Sequence, residues 1–155
     1  MRYIWLLSLC SNVGFAEVVK KEGFVKNVGS SGQTMANLGD GADLCPTGKG
    51  EQAKSFSGFV IAVEGTKNVE KKCLDVSKLE VVKSPRGKPV IFGTLKKVES
   101  VWILESEQGK SYSFKKVPKG MRELLNKKLL VDATEASDSP NSWKVVTYMV
   151  NPLTE

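Results

Sequence analysis

VIFGTLKKVESVWILESEQGKSYSFKKVPKGMRELLNKKLLVDATEASDSPNSWKVVTYMV (residues 90–150) is the stretch that decides how this chain folds. Val90–Val98 has strand composition behind the breaker Pro85-Arg-Gly-Lys-Pro89. Val101–Ser106 and Lys110–Lys116 are further strand-like runs, and Glu107-Gln108-Gly109 between them suits a hairpin with glycine where positive φ is required. Pro118 then changes the rhythm. Met121, Leu124 and Leu125 recur at i, i+3 and i+4, predicting a helix of about two to three turns opened by proline and closed by a left-handed Asn126. Lys128–Thr134 reads as a fourth strand, Ser137–Asn141 as a polar turn around Pro140, and Trp143–Val150 as a fifth strand. The expected order is β-β-β-α-β-β.

The preceding residues repeat this outline. Gly23-Phe-Val-Lys-Asn-Val28 returns as Gly93-Thr-Leu-Lys-Lys-Val98, seventy positions later. FSGFVIAVEGT (56–66) answers LNKKLLVDATE (125–135), one position out of that register. Glu22–Val28 takes the place of the first strand. Thr34–Leu44 takes that of strands two and three, although Gly39, Asp40, Gly41 and Asp43 interrupt it. Glu51–Phe56 reads as a short helix ended by Gly58, Phe59–Glu64 as the fourth strand, Gly65–Asn68 as a turn and Cys73–Val82 as the fifth strand. The fold class expected is mainly β: two tandem five-stranded barrels, each with a short helix between strands three and four. They occupy 17–83 and 90–155, with 84–89 a linker too short for independent tumbling.

Met1-Arg2 supplies a positive start, Tyr3–Cys10 a short apolar core, and Gly14 and Ala16 the small residues of a cleavage site before Glu17. Residues 1–16 therefore read as a secretory signal peptide. The apolar run falls far short of the roughly 20 residues that span a bilayer, so no stable transmembrane anchor is expected. The rival reading is lipidation at Cys10, since Leu7-Ser8-Leu9-Cys10 loosely resembles a lipobox, with Leu9 where a small residue is the rule. Removing 1–16 takes Arg2 from 23 basic residues and nothing from 17 acidic ones, leaving a net charge of +5. The lysines are spread along both halves, as on an ordinary solvated surface.

Two cysteines remain, Cys45 and Cys73, an even number that in an oxidising compartment predicts one disulfide. Their spacing makes no C-x-x-C redox or zinc motif. The chain has no histidine, which removes the commonest acid/base group near neutral pH, the commonest transition-metal ligand and every histidine-containing triad. No cofactor is expected.

Gly93, Trp102–Glu105, Gly109-Lys110-Ser111-Tyr112, Leu124-Leu125 and Val145–Val150 with Pro152 form a pattern that resembles the small exported OB-type domains of bacteria. The resemblance covers the second half well and the first poorly. It implies a five-stranded, partly open barrel, and binding more than catalysis. In that topology strands three and five are neighbours. By the repeat, Cys45 aligns near Lys115 at the end of strand three and Cys73 near Trp143 at the start of strand five, so a bridge between them is geometrically reasonable.

The most site-like constellation is Trp102, Tyr112 and Phe114 beside Lys110, Lys115 and Lys116. On an OB barrel, aromatics of strands two and three stack bases or sugars while lysines meet phosphates. The competing assignment is core: Tyr112 and Phe114 are two apart, as are Trp102 and Leu104, so each pair shares one face of its strand. Asn37–Asp43 lacks the order of an EF-hand loop and reads as a polar turn. Thr47-Gly48-Lys49-Gly50 lacks the glycine and hydroxyl of a phosphate loop and reads as a plain loop. Ser30-Ser31-Gly32 is not a nucleophile elbow. The expectation is an exported, periplasmic or secreted, non-catalytic binding or scaffold protein whose partner is an envelope protein, a glycan or an anionic polymer. The alternative is an OB-type binder of single-stranded nucleic acid, favoured by the basic charge and disfavoured by export.

Overall fold

The computed structural model describes residues 17–30, 34–138 and 141–154. The expected signal segment with Cys10, most of Ser30-Ser31-Gly32 and the centre of the Ser137–Asn141 turn lie outside the described residues. Among the described residues the strands are β1 (Val18–Val28), β2 (Met35–Leu38), β3 (Val60–Asn68), β4 (Cys73–Lys83), β5 (Ile91–Val98), β6 (Val101–Glu105), β7 (Ser111–Phe114), β8 (Lys128–Glu135) and β9 (Ser142–Val150). Two short helices, α1 (Gly48–Gln52) and α2 (Lys119–Arg122), fall before β3 and before β8. No helix among them is long and apolar enough to cross a membrane.

The second half is a closed barrel in the order β5-β6-β7-β9-β8. Strand β7 runs parallel to β9 through Ser113–Ser142 and Phe114–Trp143; every other seam is antiparallel. Leu95, Leu104, Phe114, Val117, Met121, Leu129 and Val131 fill its interior. Gly93 sits where β5 passes from pairing with β8 to pairing with β6, and a Cβ there would come within 2.6 Å of the Glu105 carbonyl oxygen. Only glycine allows the strand to bend at that distance.

The first half corrects the expectation of a second five-stranded barrel. It is a four-stranded curled sheet, β2-β1-β3-β4. The place expected for a third strand holds single bridges, Asn37–Asp43 and Leu44–Leu74, the latter parallel. The reason lies in the polar turn. Asp40 accepts a hydrogen bond from the Ala42 N–H (3.1 Å), and Asn37 donates to Asp43 (2.7 Å), so side chains occupy groups a strand would leave for its neighbours. What survives is a three-residue seam. The Leu44 N–H donates to the Ala36 carbonyl, the Leu74 N–H to Asp43, and the Cys45 N–H to Leu74, drawing the two edges of the sheet together.

Three boundaries also shift. Strand β3 continues through the expected turn at Gly65–Asn68, because a Cβ at residue 65 would lie 2.2 Å from the Asp75 carbonyl oxygen and glycine is what lets β3 and β4 approach there. The Thr47–Gly50 loop is the start of α1, and Gly50 packs on the Cys45 carbonyl, where a Cβ would be 2.0 Å away. Helix α2 stops at Arg122, before the expected Leu124 and Leu125; Met121 alone is fully buried, and Asn126 is left-handed (φ 64°) as its position suggests.

The two halves share a core. Strand β8 points Leu129 and Val131 into its own barrel but Leu130 into the core of the curled sheet, beside Phe56, Ile61 and Val81. Phe92 and Met149 pair with Leu130 on either side and pack against the same core, making a three-residue apolar row on the barrel's outer wall. The 84–89 segment is a tight turn bound into this junction, with Lys83 bridged to Pro89.

Candidate binding surfaces

The expected aromatic face is mostly interior. Phe114 is 0% exposed in the barrel core, and Trp102, paired across the seam with Phe114, points the same way. Tyr112 pairs with Leu104 and also packs on that core. Strand alternation explains this: all four residues lie on one face, and a small closed barrel needs that face inside. Trp102 and Tyr112 are half-buried and keep an edge at the surface. Lys97 lies over the Trp102 ring (5.4 Å to its centroid) and Lys110 over Tyr112 (5.2 Å), both at cation–π range. Trp143, which sequence reasoning had not singled out, completes the cluster with an edge-on contact to Tyr112 at 5.3 Å. It reaches the cluster through the parallel pairing of β7 and β9, in which it lies beside Phe114.

Lys115 and Lys116 are exposed beyond the end of β7, and Lys115 makes a loose ion pair with Asp138 at 3.8 Å. The structure therefore divides the six residues. Lys110 and Tyr112 form one surface pair, Trp102 forms another with Lys97 beside Phe114, Phe114 is structural, and Lys115 and Lys116 are exposed beyond the end of β7.

Cys45 and Cys73 are joined in a disulfide. It lies diagonally across the Leu44–Leu74 bridge, on the seam of the curled sheet, with Cys45 following Leu44 and Cys73 preceding Leu74. Cys45 is fully buried.

The charged groups with shifted titration are elsewhere. Asp132 is fully buried on the outer face of β8, and Arg86 from the 84–89 turn grips it through Nε and Nη2, both at 3.0 Å. Burial pushes the Asp132 carboxyl up, but the hydrogen bonds from Arg86 and Ser84 outweigh it and leave the group below its ordinary value. At the open end of the curled sheet, Lys21 bonds Asp40; that bond, with the Ala42 N–H, holds the Asp40 carboxyl down.

Compared with known protein families, curated proteins and solved structures, the chain matches none of them.

Proposed function

We propose that the chain is an exported, non-catalytic binding or scaffold protein of a bacterial cell envelope, built from two tandem OB-type modules. The observation that carries this reading is the disulfide at the seam of the first half. A bridge that replaces a strand pairing is useful only where it can form and persist, which favours an oxidising compartment. Kinship of the halves is supported by their seams. The parallel Leu44–Leu74 bridge lies seventy and sixty-nine positions before the parallel Phe114–Trp143 pair, the same offsets that relate the two halves in sequence. Gly23 and Gly93 both sit where the first strand of the unit changes partner. The absence of histidine and the structural roles of the buried ionic groups favour binding over catalysis. Envelope proteins, glycans and anionic polymers are the partner classes proposed. Expression in a bacterial host, followed by fractionation and intact-mass measurement, tests the reading. The expected product is periplasmic or secreted, begins at Glu17 and contains the bridge; a cytoplasmic, full-length, reduced product would contradict it.

The stacked Lys97–Trp102 and Lys110–Tyr112 pairs support a second reading, a binder of single-stranded nucleic acid or another anionic polymer on β6 and β7. Salt-sensitive retention on single-stranded DNA that Tyr112→Ala abolishes would favour it. No retention at low salt would remove it.

A further inference from the structure

At one end of the curled sheet β1 begins beside the turn of the β3–β4 hairpin, and the two form an open mouth. A cleft of about 360 Å³ lies there, within the range of small-molecule sites, which favour barrel mouths. Its apolar wall is Val19, Ala42 and Leu74, all packed on the core beneath, with Val69 of the hairpin tip 86% exposed above it. Its rim is basic. Lys67 and Lys72 are exposed there and form no ion pair among the described residues. Lys21 lines the same space from β1, on the face that carries Val19 and Val25 into the core. Of the acids nearby, Asp40 is already taken by Lys21, Asp43 accepts from Asn37 and Asp75 from Asn68, while Glu70 shares the hairpin tip with Lys71 and Lys72. The cleft therefore offers an apolar floor with two lysines outside any ion pair among the described residues at its edge, which with the Asp43 carboxylate leave one positive charge in excess.

We infer that this mouth binds small amphiphilic acids: a carboxylate held by Lys67 and Lys72, with a short aliphatic body lying on Val19, Ala42, Val69 and Leu74. The chemistry is complementary in both halves, since water is released from the apolar wall while the anion stays at the wet rim. The inference rests on the reading of the chain as a non-catalytic binder and adds a ligand class to it. It is independent of the Lys110–Tyr112 surface, which lies in the other module.

The test is a titration of the oxidised protein with octanoate, followed by amide and methyl NMR shifts, with octyltrimethylammonium and butyrate as matched probes. Octanoate is expected to shift Val19, Ala42, Val69 and Leu74. The cation of equal chain length and the short acid should bind at least about tenfold more weakly, and Lys67→Glu with Lys72→Asn should weaken octanoate at least about tenfold. Asparagine is chosen because Lys72 is left-handed (φ 53°), a conformation asparagine tolerates. Val69→Asp, at an exposed tip, should weaken it without unfolding the protein. Equal binding of the cation, shifts confined to other residues, or undiminished binding by the lysine variant would overturn the inference. If octanoate shifts nothing while an anionic polymer shifts Lys110 and Tyr112, the inference falls and the binding-protein reading stands. If octanoate is consumed or altered, the non-catalytic reading fails instead.

Discussion

Arg86 reaches out of the turn between the two halves and holds the fully buried Asp132 through two hydrogen bonds of 3.0 Å. The pair spans 46 positions of sequence and fixes the turn between the two halves to the wall of the barrel. Because the Asp132 carboxyl is depressed in the folded state, its contribution to stability is present above the ordinary carboxylate value, about 3.9, and is lost as pH falls through the folded value. Arg86→Ala should lower the melting temperature at pH 7, where it strands a buried charge. The deficit should shrink toward pH 3, as the carboxyl takes up a proton. Thermal melts of the variant and the parent across that range decide it; a constant deficit would show that Arg86 acts through packing alone.

Leu130 stabilises the half of the chain to which it does not belong. Leu130→Ala should cost about 2–5 kcal/mol, and the loss should appear chiefly in the curled sheet. Hydrogen exchange should quicken in β3 and β4 before it does in β5–β9.

Phe114 and its lysine neighbours should separate cleanly. Phe114→Ala removes a fully buried ring and should cost about 3–5 kcal/mol. Lys115→Ala and Lys116→Ala, at exposed sites, should change stability by no more than about 0.5 kcal/mol. Urea unfolding of the three variants checks the contrast.

Gly50→Ala tests the seating of α1. The added Cβ would lie 2.0 Å from the Cys45 carbonyl oxygen, so helix and seam cannot both keep their places. Slower bridge formation on oxidative refolding is expected, followed by thiol trapping; a parental rate would show that the helix moves freely.

Much of the barrel was legible because its strands alternate and its turns carry glycine. Trp102, Leu104, Tyr112 and Phe114 share a face, and the structure turns that face inward. The first half was less legible. Gly39–Asp43 signals a break but not how little strand survives it, since the remaining pairing depends on Leu74, thirty positions away. Gly65 looks like a breaker and is in fact a close approach between β3 and β4. The run Leu129-Leu130-Val131 predicts a strand without revealing that both its faces are covered, and Asp132 looks like any surface acid until Arg86 arrives beside it. The amphiphile cleft was not foreseen because its lysines and valines come from both ends of the first half.

In the first half a disulfide reinforces a seam of a single bridge, where the barrel of the second half is closed by paired strands. Closing a loop of this length contributes roughly 3–4 kcal/mol in the entropic description, a large share of the net stability of a domain this small. Hydrogen exchange with and without reduction of Cys45–Cys73 tests this most directly. Reduction should release the amides of 36–44 and 73–83 while those of 91–98 and 128–135 stay protected; equal loss of protection in both halves, or none in either, would contradict it.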